Sequence, residues 1–440
     1  MNGQVTGQIN DALRATRGLT LYRSIREDPV CRAMIVFLEK AARQASRESL
    51  LDTYGKIFFL LADRYSTSRG LVGNAWQDHL LELILYQANP FSEAAAAVPF
   101  DQLGDSLKQG AAWDLQKLQV LYAFGVSAAL DLSSCLKSAR RVPDWSELSL
   151  KHGVKEGTLS KAGEIKALLA AESDWSVMVK PLADYYYQAG AGIFGKYGAL
   201  RWVSRHERLE GIASPDQVQL EDLIGYQAQR QEIIDNTERF LAGLPANNVL
   251  LYGDRGTGKS STVKALLNRY QGRGLRLIEA PKSALRDYPK IIRALRDKPQ
   301  RFILFLDDLS FEDSEYEYKE LKAVMEGGLE VRPDNLLIYA TSNRRHLIRE
   351  HFSDRDTDGE LRAGDTVQEK LSLADRFGLV VLFTMPDRSL YLDIVHGLAR
   401  QRGIVLPVEE LDKQALLWAA YHNGRSGRTA RQFIDAISGK

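Results

Sequence analysis

The spacing of hydrophobic positions changes along this chain, and the change divides it. Up to about residue 180 apolar side chains recur at helical intervals: Met34, Phe37, Leu38 and Ala41, then Ile57, Phe58, Leu61 and Tyr65, then Trp113, Leu118, Leu121 and Tyr122. Steps of three and four residues gather these side chains on one face of a helix. From about residue 220, short continuous apolar runs alternate with helical stretches. The runs are Asn248–Tyr252, Leu275–Glu279, Phe302–Leu306, Leu336–Ala340 and Leu379–Phe383. Such runs suit strands buried on both faces. Their alternation with helices predicts a mainly parallel sheet with helices on both sides. Helices are expected over Tyr288–Asp297 and over Tyr318–Glu326, the latter ended by Gly327 and Gly328. After Pro386 the pattern turns wholly helical, near residues 388–402, 408–422 and 428–438.

A junction separates the two patterns. Tyr185, Tyr186 and Tyr187 lead into Gly190-Ala191-Gly192-Ile193-Phe194-Gly195, which has the glycine spacing of a dinucleotide-binding turn. That turn works only between a strand and a helix. No apolar strand precedes it, and Lys196-Tyr197-Gly198 does not begin a helix, so a linker that packs its aromatics on a neighbour is expected. The predicted organisation is a mostly α-helical N-terminal domain for recognition or docking (residues 1–184), a linker (185–220), an α/β core (221–385) and a helical C-terminal segment (386–440).

Composition adds little. At 440 residues the chain has room for two or three domains, and 45% hydrophobic with 26% charged residues is ordinary for a globular protein. A net charge of +1 argues neither for nor against a polyanionic partner. Cys31 and Cys135 lie far apart without a metal-ligand pattern, as expected of free thiols in a reducing compartment. No apolar run reaches the roughly eighteen residues of a membrane span. The N-terminal residues lack a basic stretch followed by an apolar core, so a cytoplasmic location is expected.

The chemistry is concentrated in the second half. Residues Gly253-Asp254-Arg255-Gly256-Thr257-Gly258-Lys259-Ser260 form a complete P-loop between an apolar run and a helix-like stretch that begins at Ser261. A glycine-rich turn from strand to helix N-terminus aims backbone N–H groups and the positive end of the helix dipole at a phosphate. Gly253, Gly256 and Gly258 let the backbone come close without a Cβ. Lys259 has the reach for β- and γ-phosphates, and the Ser260 hydroxyl suits Mg²⁺. Downstream, Phe302–Leu306 ends in Asp307-Asp308. Carboxylates at the carboxyl end of a buried parallel strand lie where such sheets bind ligands. Asp307 is expected to hold Mg²⁺ through its water shell, and Asp308 to orient or deprotonate the attacking water. Leu336–Ala340 runs into Thr341-Ser342-Asn343; Asn343 either holds the same water or the γ-phosphate, or caps the segment beginning at Arg344.

Several strings together resemble an AAA+ ATPase, in particular the bacterial family called domain of unknown function 815. They are residues 250–261 with the P-loop, 307–312 with Asp307-Asp308, 340–347 with Asn343, 370–379 with Ala374-Asp375-Arg376-Phe377-Gly378, and 424–433 with Gly424-Arg425-Ser426-Gly427-Arg428-Thr429-Ala430-Arg431. The resemblance is strong over about residues 185–440 and loose before them. It implies an α/β P-loop NTPase core with a C-terminal helical lid, ATP and Mg²⁺ as cofactors, and ATP hydrolysis. It also implies that Ile224, Gly225 and Tyr226 line the adenine pocket, and that Arg376 is an arginine finger given to the neighbouring subunit's γ-phosphate. Arg431 is implied as the lid's sensor arginine, with Arg428 its rival. Asp308 departs from the more usual glutamate by one methylene. The charged loop 353–365 reads as a solvated excursion, with a substrate or partner contact as the alternative, and Arg344-Arg345-His346 either as the start of a helix or as a contact to nucleic acid.

The expected function is an AAA+ ATPase, assembled as a ring or partial ring, that remodels a protein or nucleic-acid partner. Two rivals differ in class. One is a slow-turnover, ATP-gated switch or loader that recruits DNA or protein. The other is a small-molecule kinase, which would need an acceptor pocket and no neighbouring subunit.

Overall fold

A computed structural model describes residues 3–66, 71–135, 143, 145, 148, 161–310, 320–322, 325, 332–343, 376–422 and 424–438. The chain divides into two compact units, Met1–Lys196 and Tyr197–Lys440.

The first unit is helical among its described residues: α1 (Gly3–Arg17), α2 (Pro29–Ala42), α3 (Arg47–Tyr65), α4 (Ala75–Tyr86), α5 (Pro90–Ala97), α6 (Asp105–Cys135), α7 (Lys161–Ala171), α8 (Val179–Ala189) and the short α9 (Gly192–Lys196). Polar side chains fix its irregular segments. Asp114, fully buried, accepts from the backbone N–H of Thr20 and Tyr22 and so pins the turn after α1. Asp28 caps α2 through the N–H groups of Val30 and Cys31 and also meets His79 Nε2 at 2.8 Å; His79 Nδ1 meets the Tyr65 hydroxyl at 3.1 Å. Cys31 lies beside this group, but the carboxylate and both ring nitrogens already have partners, so the cluster works as a helix cap. The stretch with dinucleotide-type spacing follows helix α8, and Gly190, at φ +91°, is that helix's C-cap. Tyr185 and Tyr186 pack in the core of this unit, where the Tyr186 hydroxyl donates to the Ile84 carbonyl.

The second unit is built on a seven-stranded sheet: β1 (Ala199–Val203), β2 (Arg208–Gly211), β3 (Val249–Gly253), β4 (Leu275–Glu279), β5 (Arg301–Leu306), β6 (Leu336–Ser342) and β7 (Leu379–Phe383). Their spatial order is β2-β1-β4-β5-β6-β3-β7, with every pairing parallel except β1–β2. The five apolar runs of the sequence are the inner parallel strands and one edge, and β5 and β6 are buried almost throughout. β1 and β2 fall in the segment read from sequence as a linker. They are short, and each carries an exposed arginine, Arg201 or Arg208, so no apolar run marks them. Helices α10 (Gln227–Leu241), α11 (Lys259–Tyr270) and α12 (Tyr288–Leu295) accompany the sheet. The part expected at Tyr318–Gly328 lies largely outside the described residues. Three helices complete the unit: α13 (Arg388–Gln401), α14 (Val408–Tyr421) and α15 (Gly427–Ile437). Their apolar faces (Tyr391, Ile394, Val395, Ala415, Phe433, Ile434) join one core with the sheet. This is the α/β architecture expected from the sequence: a mainly parallel sheet core, a C-terminal set of helices and a mostly α-helical unit before them. Among the described residues no helix is long and apolar enough to cross a membrane.

A buried polar knot seats the strand that feeds the P-loop. Asn236 on α10 donates to the Asn247 carbonyl (2.9 Å) and the Tyr339 hydroxyl (3.0 Å) and accepts from Asn247 N–H (2.9 Å). The Thr237 hydroxyl lies 2.8 Å from that of Tyr339, so α10, the entry to β3 and the middle of β6 are tied together. Asn236→Ala would take one of its two partners from the buried Tyr339 hydroxyl and would free the N–H and carbonyl of Asn247, at a cost of about 1–3 kcal/mol. Hydrogen exchange at the amides of β3 and β6 should speed up about tenfold or more; unchanged protection would show that the knot does not hold the strand.

Candidate functional site: a phosphate-type cleft at the carboxyl end of the sheet

Strand order decides which side chains meet. β3 lies beside β6, and β6 beside β5, all parallel, so their carboxyl ends open on one edge. There the chain leaves β3 into the P-loop and enters α11. Gly258, at φ +92°, is the N-cap of α11, and Lys259 and Ser260 occupy its first turn. Gly253, at φ +129°, has no room for a side chain, since an added Cβ would lie 2.0 Å from the Phe383 carbonyl oxygen.

The polar groups form one connected set. Lys259 is buried, and its ammonium donates to the carbonyls of Gly253 (2.8 Å) and Asp254 (2.7 Å) and to Asn343 Oδ1 (3.4 Å). Burial holds its pKa below the usual lysine value, against the opposing pull of Asp254, Asp308 and Asp307. The Ser260 hydroxyl donates to Asp307 Oδ1 at 2.6 Å, and the Thr341 hydroxyl donates to the same oxygen at 2.6 Å. Asp308 has left-handed backbone (φ +53°); its N–H donates to Thr341 Oγ1 at 2.9 Å, and its Oδ1 accepts from Asn343 Nδ2 at 2.6 Å. Asn343 therefore bridges Lys259 and Asp308. Its alternative as a helix cap concerns residues from 344, outside those described.

These groups line a cleft of about 720 Å³, a volume ordinary for a small-molecule site. Five cations (Arg230, Arg255, Lys259, Arg428, Arg431) face three carboxylates (Asp222, Asp307, Asp308) along it. The apolar end is made by Leu223, Ile224 and Tyr226 from before α10 and by Ile394 and Leu398 from α13. Ile224 packs so closely on α13 that a Cβ at Gly397 would lie 2.3 Å from its Cδ1. Gly225, at φ +80°, abuts Leu390, and the Tyr226 hydroxyl reaches the Thr384 carbonyl at 2.6 Å.

Most of the residues singled out from sequence meet in this cleft: Ile224, Tyr226, Arg255 through Ser261, Asp307, Asp308, Asn343, Arg428 and Arg431 all line it. Gly225, Gly253 and Asp254 do not. Asp254 turns its carboxylate to Met385 N–H at 2.6 Å and ties the loop to the chain leaving β7. Arg376 stands in the turn before β7 and does not line the cleft either. Of the two lid arginines, Arg428 touches the P-loop, its N–H donating to the Gly256 carbonyl at 3.2 Å. The loop 353–365 and Arg344-Arg345-His346 lie outside the described residues. Sequence reasoning assigned no role to Thr341, Arg230, Ile394 or Leu398. Thr341 carried a signal, as a hydroxyl at the end of a buried strand; the other three look like ordinary helix residues.

The donor set fits a nucleoside triphosphate with a hard divalent cation. An array of N–H groups at a helix N-terminus and a lysine suit phosphate oxygens. A hydroxyl and a carboxylate converging 2.6 Å apart, Ser260 and Asp307, offer the hard oxygens a magnesium ion takes. Comparison with known proteins agrees on the family. The model described as "Protein of unknown function (DUF815)" matches residues 195–440. The chain belongs to the DUF815 family. No curated protein matches it. Solved structures similar to this DUF815 chain include the Thermotoga maritima RuvB Holliday junction branch migration motor, at 12% identity, covering 50% of this chain and 72% of that one with a TM-score of 0.32. A variant of the same RuvB is 13% identical, with the same coverage and TM-score.

Close contact between lid and loop makes one position of the DUF815 cleft sensitive. Gly256 has φ +76°, and an added Cβ would lie 3.0 Å from Ser426 Oγ and 3.1 Å from Arg428 Cβ. Gly256→Ala should lower stability by about 1–2 kcal/mol, from left-handed strain and displacement of the lid. Urea unfolding of the Tyr197–Lys440 unit within the full chain would read this, and an unchanged midpoint would count against the contact.

Proposed function

We propose that this chain is an AAA+ ATPase that binds and hydrolyses Mg-ATP to remodel a protein or nucleic-acid partner. The observation that carries the reading is the convergence of Lys259, Ser260, Asp307 and the Asp308–Asn343 pair on one cleft. Bound Mg-ATP supplies the scissile phosphoanhydride and the charge that grows as it breaks.

The chain's own residues divide the remaining work. P-loop N–H groups from Gly256 to Ser261 bind phosphate oxygens, and Lys259 neutralises the outer ones. Ser260 would hold the magnesium directly and Asp307 through its water shell. Asp308 takes the proton of the attacking water or orients it, and Asn343 sets the direction of that carboxylate. Ile224 and Tyr226, with Ile394 and Leu398, enclose the base. Arg376, in the turn before β7, completes the cleft of an adjacent copy as an arginine finger within a ring or partial ring. Arg431 senses the nucleotide from the lid, with Arg428 as its rival. The Arg428–Gly256 contact gives the lid a mechanical link to the P-loop, so a change at the phosphates is felt as a shift of the lid. Turnover has a purpose only when that shift acts on a second macromolecule, hence the partner.

One observation favours the slower, switch-like reading. Asp308 is an aspartate where glutamate is more usual, its backbone is left-handed, and its carboxylate is already engaged by Asn343. Water activation by so constrained a group would be slow, and the ATP-bound form would then recruit DNA or protein.

Two experiments test the proposal. Lys259→Ala should abolish binding of a fluorescent ATP analogue, and Asp308→Asn should retain binding while turnover falls on the order of a hundredfold or more. Unchanged affinity in Lys259→Ala would overturn the reading. Steady turnover stimulated by a partner marks a motor, whereas tight binding with little turnover marks a switch. Mixing inactive Arg376→Ala with inactive Lys259→Ala protein should restore part of the ATPase activity, because one mixed interface is complete; no recovery at any ratio would exclude a finger shared between copies.

A further inference from the structure

Helix α10 carries three buried polar side chains, and they are treated differently. Asn236 and Thr237 are fully engaged by Asn247 and Tyr339. Arg230, one turn into the same helix, is 9% exposed and lines the cleft, yet among the described residues no hydrogen bond or ion pair holds its guanidinium. Burial alone pulls its pKa below the usual arginine value, and no carboxylate acts to restore it. An arginine stays charged in a protein, and a buried charge without a partner is strongly unfavourable. A donor set kept in that condition at the wall of a cleft is arranged for something that enters the cleft.

Its place says which part of a ligand it meets. Lys259 lies within the electrostatic reach of Asp254, Asp307, Asp308 and Arg255, the groups of the phosphate end. None of these acts on Arg230. Arg230 follows Tyr226 by one helical turn, its N–H donating to the Tyr226 carbonyl at 3.0 Å, so its backbone lies beside the segment that, with Ile394 and Leu398, gives the cleft its apolar lining. A guanidinium has donors only. It can meet ring nitrogens or carbonyl oxygens of a base and is unsuited to amino groups.

We propose that Arg230 is a specificity-determining residue at the nucleoside end of the cleft, donating to a ring-nitrogen acceptor on the edge of the bound purine. The inference rests on the nucleotide reading of the cleft given above and adds to it how the base is selected. It also gives the unpaired guanidinium a reason: the base supplies the acceptor that no protein group among the described residues provides.

The test compares the full-length protein with Arg230→Met, an apolar side chain of similar length, using ATP, its 1-, 3- and 7-deaza analogues, 2′-deoxy-ATP and inorganic tripolyphosphate as probes. Arg230→Met should bind ATP roughly tenfold or more weakly, the scale of a lost charge-assisted hydrogen bond, and tripolyphosphate within about twofold of wild type. One deaza analogue should bind wild type about tenfold more weakly than ATP, and that difference should vanish in Arg230→Met. Without ligand, the variant's melting temperature should equal or exceed that of wild type, because an unpaired buried charge has been removed. The proposal is overturned if no deaza difference disappears, if 2′-deoxy-ATP carries the coupling instead, or if ATP and tripolyphosphate weaken together as the unliganded melting temperature falls. Failure of wild type to bind either ATP or tripolyphosphate would overturn the nucleotide reading along with it, whereas tripolyphosphate binding without the deaza coupling overturns only the role of Arg230.

Discussion

One carboxylate oxygen organises this site. Asp307 Oδ1 receives the hydroxyls of Ser260 and Thr341, each at 2.6 Å, and so joins the first turn of α11 to the ends of β5 and β6. Charge-assisted hydrogen bonds are short and roughly twice as strong as neutral ones. Two on the same atom hold three chain segments in register. The rest of the cleft is arranged around that point: Thr341 also receives Asp308 N–H, and Asn343 spans Asp308 and Lys259. None of these contacts could form unless β5, β6 and β3 lay side by side and parallel, as the sheet has them.

The site is also a place where the fold accepts unfavourable local terms. Lys259 and Arg230 are buried cations with depressed pKa values, and Asp308 and Tyr226 are non-glycine residues at positive φ. Strain and desolvation of this kind persist only where surrounding structure over-determines them. Here the surroundings are the sheet core on one side and the lid helices on the other, whose apolar residues form a single cluster. The polar knot of Asn236, Thr237 and Tyr339 serves the same end from behind the P-loop strand.

The N-terminal unit is different in kind. Its buried polar groups (Asp114 on Thr20 and Tyr22, Asp28 on the start of α2, Asp78 with Lys166) satisfy backbone and charge within the helical core. The cleft and its clustered polar groups lie in the unit that the DUF815 model matches.

The amino-acid sequence by itself determined whatever depends on near neighbours. Four inner strands were legible because parallel strands buried on both faces need unbroken apolar runs, the edge strand β7 because it too is a short apolar run, and the lid helices because their stripes repeat at 3.6 residues. The P-loop was legible because its glycines, lysine and serine act within eight residues of one another. β1 and β2 were not, since short strands with an exposed arginine lack a run to mark them. Tertiary structure alone decided the partners of the loop: that Thr341 shares Asp307 with Ser260, that Asp254 faces Met385 and not the cleft, and that Ile394 and Leu398 close its apolar end. It also decided that Arg230, an unremarkable helix residue in the sequence, is buried at the cleft without a counter-ion. The physical reason is the same throughout. Periodicity and turn chemistry are local properties, whereas burial and charge pairing depend on which distant segments the sheet order brings together.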